Sequence, residues 1–212
     1  MLFRSDLGTV LIISAAVISI VAISGARLRW VVGLLVTGIT GAYLAVASGA
    51  VSDYQLNRLR SFIDPYADPQ ATGYQLRQAR ITIGSGGFFG KGLFDGPQTN
   101  GRFVPEQHTD FIFTVAGEEI GFLGAGLILI LYSIILMRAF AVARRTNDLF
   151  GRMVCVGVIA WFSFQIFENI GMTMGLMPMT GVPLPFLSYG GSSMFANMIG
   201  IGLLQNVYQR TR

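Results

Sequence analysis

The densest chemistry in this chain lies in ten residues, Phe103 to Ile112, reading F-V-P-E-Q-H-T-D-F-I. They hold Glu106, Asp110 and the only histidine, His108, just ahead of an apolar stretch. A chain this apolar has few groups able to move protons, so a cluster of them at a membrane boundary is where chemistry is expected. Asp110 is the first candidate for a general base. A carboxylate beside apolar rings feels a lowered dielectric and becomes more basic, which suits it to take a proton from a hydroxyl. The same position suits a helix N-cap, for which Asp is favoured, and the two roles are compatible. Glu106 and His108 precede Asp110 by four and two residues. Glu-x-His-x-Asp can offer ligands to a divalent cation, although three ligands in one short loop rarely complete a site alone. His108 is otherwise an orienting hydrogen-bond partner.

Cations share the same region. Arg77, Arg80, Lys91 and Arg102 all fall in the segment that contains Asp110. One acid able to accept a proton and several cations able to stabilise a phosphate leaving group form a coherent set, and each cation can equally be ordinary surface charge. The run G-S-G-G-F-F-G-K-G, Gly84 to Gly92, invites a phosphate-loop reading that fails on two counts. Ser85 stands where the first glycine is needed, and Gly92 stands where Ser or Thr must follow Lys91. A dinucleotide pattern fails at Phe89. The run therefore reads as a tight turn that brings backbone close to the bilayer or a neighbouring helix, or as backbone amides and Lys91 facing a phosphate. Glu118 and Glu119 open the third apolar run, where they complement the positive end of a helix dipole. Glu168 lies within the fourth run, and an acid at that depth marks a functional site or a structural pairing with another span.

The elements that position these groups belong to a membrane protein. Of 212 residues, 52% are hydrophobic and 12% charged, about half the charge of a soluble domain. Five runs approach the roughly 20 residues a bilayer requires: Leu7 to Ser24, Trp30 to Ser52, Ile120 to Met137, Met153 to Met177 and Phe186 to Gln209. The expected fold is an all-α polytopic bundle of five transmembrane helices in a single membrane domain, residues 1–212. A large loop, 53–119, separates the second and third spans. Tyr54 to Ile63 and Tyr74 to Ile83 have helical patterns within it, the first suited to lie on the membrane surface. Asp64-Pro65 and Asp68-Pro69 are turn signals. The single cysteine, Cys155, sits in an apolar run and reads as a small buried hydrophobe.

The net charge of +4 does not point to nucleic acid, because basic residues cluster at the ends of apolar runs. Arg27 and Arg29, then Arg138, Arg144, Arg145 and Arg152, then Arg210 and Arg212 mark cytoplasmic segments, leaving loop 53–119 outside. Five spans that end inside must begin outside, and nothing before Leu7 would deliver that. A signal peptide over Met1 to Ser24 is disfavoured by Asp6 and by the length of the apolar stretch. The expectation is the second part of a longer membrane protein.

Several motifs then resemble one family in the right order. They are Asp6-Leu7-Gly8-Thr9, D-P-x-x-D-P from Asp64, Gly73 to Gln75, I-G-S-G-G-F-F-G-K-G from Ile83, P-E-Q-H-T-D-F-I-F at Pro105 to Phe113, G-E-E-I-G-F at Gly117 to Phe122, and P-L-P-F-L-S-Y-G-G-S-S at Pro183 to Ser193. The chain resembles the SEDS family (shape, elongation, division and sporulation) of RodA and FtsW proteins, and its acidic and Ser-Tyr-Gly-Gly blocks are closer to RodA. The resemblance implies a ten-helix fold in the bacterial plasma membrane, of which this chain matches roughly the last five helices, with a cytoplasmic C-terminus and an extracytoplasmic loop. It implies a peptidoglycan glycosyltransferase acting on lipid II and the nascent glycan strand in cell elongation. Asp110 aligns with the essential acid and would deprotonate the acceptor hydroxyl, with inversion and loss of undecaprenyl pyrophosphate. Lys91 and Arg102 would stabilise that leaving group. Glu106, His108 and Glu168 join the candidate substrate-binding residues, and Ser188, Tyr189, Ser192 and Ser193 would border the same cavity. A class B penicillin-binding transpeptidase and other membrane proteins of the elongation complex are the implied partners. A lipid II flippase and a non-catalytic scaffold are the competing readings. A flippase should tolerate Asp110→Asn, and a scaffold should tolerate loss of Asp110, Lys91 and Glu168 together.

Overall fold

The computed structural model describes residues 7–49, 51–64 and 72–211. Among them the chain forms nine helices and no strand: α1 (Leu7–Ile23), α2 (Leu28–Ala47), α3 (Asp53–Ile63), α4 (Thr72–Ser85), α5 (Pro97–Asn100), α6 (Ile112–Glu119), α7 (Gly121–Arg145), α8 (Leu149–Met174) and α9 (Gly191–Arg210). The expected all-α class is observed. Pro65, Asp68 and Pro69 of the turn signals lie outside the described residues. Both patterns in the long loop are helices, α3 and α4.

Three helices are long and apolar enough to cross a membrane: α2, α7 and α8. They occupy the second, third and fourth apolar runs with shifted ends. The second ends at Ala47 because Gly49 turns left-handed at φ +70°, and the fourth ends at Met174 before Gly175 at φ +73°. The first run gives α1, only 17 residues long. The fifth run begins as a turn, and α9 starts only at Gly191. Phe186 sits at φ +63°, a backbone region that ends regular helix.

The described residues cluster into two compact units. One draws on those within Met1–Leu56, Leu136–Phe164 and Met198–Arg212. Here α1 packs on α2, and Gly157 of α8 lies so close to α1 that a methyl on it would stand 3.0 Å from Ile20 Cδ1. Gly200 of α9 faces Phe162 of α8 in the same way, at 3.0 Å. Cys155 is buried and unpaired among these side chains, as its apolar run implied. α8 begins on a side-chain cap, with the Gly151 amide donating to Asp148 Oδ2 at 2.8 Å. α2 buries none of its residues and exposes Trp30, Ile39 and Tyr43. A helix apolar on every side fits a lipid or protein surround better than water.

The other unit draws on Asn57–Ile135 and Gln165–Asn197 and contains the acidic loop. Its core gathers Leu76, Ala79, Val104, Phe111 and Met179. Thr72, Leu76, Ala79 and Thr82 are buried at helical spacing, so α4 presents one face inward. That face packs against α6, where Gly117 brings the helices within a methyl's width of Ile83.

Candidate active site

The acidic loop is built on a buried carboxylate that is not in the loop. Glu118, fully buried in the last turn of α6, points at the N-terminus of α5. Its Oε1 accepts the Gln98 amide at 2.9 Å, and its Oε2 accepts the Thr99 amide at 2.8 Å and the Thr99 hydroxyl at 2.6 Å. The Ser85 hydroxyl adds a fourth bond at 3.2 Å. α5 starts with Gly96 and Pro97, a helix-start pattern whose cap residue brings no side chain of its own. Gly96 leaves the room, since a methyl there would stand 2.7 Å from Glu118 Oε2. Burial raises the carboxyl, but the hydrogen bonds from Thr99, Gln98 and Ser85 outweigh it and hold Glu118 below its ordinary value. Its sequence position predicts a place at the start of the third span. The structure corrects this: Glu118 ends a separate short helix and neutralises the positive end of α5 instead.

From α5 the support passes to the loop. The Thr99 carbonyl accepts Gln107 Nε2 at 3.1 Å, and Gln107 is buried. The Glu106 carbonyl then gathers the amides of Thr109, Asp110 and Phe111 at 3.1–3.3 Å. Two non-glycine residues of this loop take left-handed backbone, Arg102 at φ +52° and Glu106 at φ +53°. Such conformations cost of order 1–3 kcal/mol each and persist only where the surroundings impose them. The result is an open cleft of about 390 Å³ lined by Arg102, Val104, Pro105, Glu106, Gln107, His108, Thr109 and Tyr189.

Asp110 follows the cleft wall and is half-buried. Its carbonyl accepts Asn169 Nδ2 at 2.7 Å. A methyl on Gly181 would stand 3.2 Å from Asp110 Oδ2. Phe111, not Asp110, occupies the N-cap position of α6, and it makes no side-chain cap. The loop's tight coil places the cap one residue later than the sequence suggested.

Among the other sequence candidates, Arg102, Glu106, His108 and Tyr189 share the cleft, and the Tyr189 amide donates to the His108 carbonyl at 2.8 Å. Lys91 is exposed and is not one of the cleft's walls. Its amide donates to the Glu118 carbonyl at 2.9 Å, tying the glycine run to the corner between α6 and α7. The close approach expected of that run is observed: methyls on Gly86 and Gly90 would lie 2.0 and 2.2 Å from the Gly117 and Glu119 carbonyl oxygens. Ser188 is buried, and its hydroxyl accepts the Leu184 amide at 2.7 Å, closing a turn that Tyr132 holds through the Pro185 carbonyl. Ser192 is exposed, and Ser193 donates to the Gly190 carbonyl at 2.9 Å. Glu168 is fully buried in α8; Oε1 accepts the Thr180 hydroxyl at 3.0 Å, and among the described residues Oε2 has no partner.

Among the described residues no three His, Cys, Asp or Glu side chains come together as a metal site requires. Glu106, His108 and Asp110 therefore do not form the Glu-x-His-x-Asp cation site that their spacing allowed. Gln107, Thr99 and Asn169 were not visible as site residues from the sequence. For Asn169 a signal existed, a second polar residue beside Glu168 in an apolar helix. For Gln107 none did, because its partner is a four-residue helix.

A family model described as cell cycle protein, covering FtsW, RodA and SpoVE, matches residues 1–212. Stage V sporulation protein E of Bacillus subtilis (strain 168) is 39% identical over 209 residues, 99% of this chain and 56% of that protein. Peptidoglycan glycosyltransferase MrdB of Escherichia coli (strain K12) is 37% identical over 205 residues, 97% of this chain and 55% of that protein. A chain of a solved peptidoglycan synthase complex superposes with a TM-score of 0.80 at 32% identity, covering 99% of this chain and 57% of the other. The crystal structure of Thermus thermophilus RodA gives 0.61 at 31% identity, covering 98% of this chain and 51% of the other. The chain thus spans about half the length of the curated relatives it matches.

Proposed function

Because the chain belongs to the FtsW, RodA and SpoVE family of cell cycle proteins, the SEDS family, we propose that it carries the catalytic half of a peptidoglycan glycosyltransferase. Asp110 removes the proton from the 4-hydroxyl of the acceptor's N-acetylglucosamine. The oxygen attacks the anomeric carbon of the donor's N-acetylmuramic acid. The bond to undecaprenyl pyrophosphate breaks with inversion, and the leaving group departs with the bonding electron pair. Arg102, at the cleft, and Lys91, on the glycine run, meet the charge that develops on the pyrophosphate. Glu106, His108 and Tyr189 line the space in which a sugar would sit.

The observation that carries this reading is the setting of Asp110, half-buried and next in sequence to Thr109 of a cleft lined by Arg102, Glu106 and His108, though not itself one of the lining residues, in a chain similar to a named peptidoglycan glycosyltransferase over 97% of its length. In this reading α1 and α9 join α2, α7 and α8 as spans in the bacterial plasma membrane. In this reading the loop faces outward and the C-terminus inward, the orientation that the arginine distribution supports. Elongation is the role assigned, and a class B penicillin-binding transpeptidase is the partner. A solved relative belongs to a complex that coordinates polymerisation and crosslinking.

Transport of the lipid-linked precursor is the second reading, favoured by the buried Glu168 with one unpartnered oxygen. One measurement separates the two: glycan-strand formation from purified lipid II by the intact protein, wild type against Asp110→Ala. Loss of at least about a hundredfold is expected for a removed general base. Equal product from both proteins would remove Asp110 from the mechanism.

A further inference from the structure

α8 grips the segment that faces Asp110 with two adjacent side chains. Asn169 is fully buried, and its single amide group spends both hydrogens on main-chain oxygens, those of Asp110 and Val182, each at 2.7 Å. Glu168, equally buried, accepts the hydroxyl of Thr180 at 3.0 Å. The two therefore hold the residues on either side of Gly181. That glycine sits at φ +74° and comes so close to Asp110 that a methyl on it would stand 3.2 Å from Oδ2. An aspartate could not make both bonds, because an ionised carboxyl has no hydrogen to donate and a protonated one has a single hydrogen for two carbonyl oxygens.

We propose that Asn169 and Gly181 are positioning residues for Asp110. Asn169 fixes the main chain from which the Asp110 side chain leaves. Gly181 gives the carboxylate a wall of bare backbone to lie against. The inference rests on Asp110 being the base. Its chemistry is one of distance: a misplacement of about 1 Å in a reacting group can lower the rate about a hundredfold. Neither residue touches substrate in this account, and neither is charged, so their loss should spare binding of the lipid-linked sugar and slow its reaction.

The test follows lipid II polymerisation by the intact protein against lipid II concentration for wild type, Asp110→Ala, Asn169→Ala and Gly181→Ala, with a thermal melt of each. Asp110→Ala should be inactive. Asn169→Ala and Gly181→Ala should lower kcat by about tenfold or more while half-saturation moves less than about threefold, the pattern of an interaction that acts in the reacting complex and not in binding. If Asp110→Ala is as active as wild type, the mechanism beneath the proposal is wrong, whatever the other two do. If Asp110→Ala is inactive and either folded variant keeps kcat within about threefold of wild type, the positioning role alone is overturned. A loss carried in half-saturation overturns it too. Should Asn169→Ala fail to fold, Gly181→Ala decides. If neither folds, the contacts are structural and the proposal falls.

Discussion

Residues 84–92 and residues 101–111 both depend on α6, the first directly and the second through α5 and Glu118, and they are held by different means. The glycine run is fixed main chain to main chain. Lys91 and Gly92 donate to the Glu118 and Glu119 carbonyls, and Phe122 and Leu123 donate back to Gly87 and Phe88. Its left-handed residues, Gly87, Gly90 and Gly92, are glycines, for which that backbone carries no steric cost. The acidic loop also bonds main chain to main chain, within itself at the Glu106 carbonyl and to Tyr189 at the His108 carbonyl, but adds two buried side chains as props, Gln107 and Asn169. Its left-handed residues are Arg102 and Glu106, where the conformation is strained. One loop is a fitted joint of bare backbone that glycines make possible. The other keeps strain beside its ionisable groups, which is where strain belongs if it serves a function.

The difference is broken most directly at the joint. A methyl on Gly86 or Gly90 would overlap a carbonyl oxygen at 2.0 or 2.2 Å, and neither neighbour is a flexible side chain. Gly86→Ala and Gly90→Ala should each cost about 3 kcal/mol or more, among the larger single-residue effects. Gly84→Ala, which would meet nothing within 4 Å, is the internal control. Thermal unfolding in detergent reads all three. Should Gly86→Ala melt with the wild type, the backbone joint is not what holds the run.

Glu118 is where the two loops share a support, and its loss is expected to cost somewhat less. Glu118→Ala leaves the Gln98 and Thr99 amides and two hydroxyls without their acceptor, worth about 2–3 kcal/mol for a buried charge-assisted group. The pH dependence follows from the sign of the shift. The folded carboxyl lies below its ordinary value of 4.5, so the unfolded chain binds the proton more readily. The stability from Glu118 is complete above that value and is lost as the pH falls through the folded one. Acid melts of wild type should therefore weaken below about pH 4.5, and Glu118→Gln should flatten that limb. An unchanged acid limb would mean that the carboxylate is not the group sensed.

The all-α class, the three long apolar helices and the acidic cluster were legible because they rest on local signals, apolar run length and the spacing of ionisable residues. α4 was legible from Leu76 and Ala79 at helical spacing. The helix starting at Gly191 was not, since Phe186 to Gly190 is as apolar as a helix and becomes a turn only through contacts such as Ser188 to Leu184. The partners of the loop's supports were invisible for a related reason. Gln107 meets Thr99, and Asn169 meets Asp110 across 59 positions. No periodicity marks a partner that far away. Glu118 was visible as an acid but not as a cap, because the helix it caps has only four residues.

Lys91 should show the smallest effect on stability and so sharpens the comparison most finely. Its contribution to the joint is its amide, which any residue but proline supplies, and its side chain is exposed. Lys91→Ala should therefore shift stability by no more than about 0.5 kcal/mol, the range of surface substitutions that break no named contact. Polymerisation gives a separate readout. If the ammonium group meets the departing pyrophosphate, Lys91→Ala slows glycan-strand formation at saturating lipid II, Lys91→Arg restores part of the rate, and the melt does not move. If the rate also stays within twofold of wild type, about 0.4 kcal/mol in the barrier, the glycine run is a joint alone. The charge on the leaving group is then met from Arg102's side of the cleft.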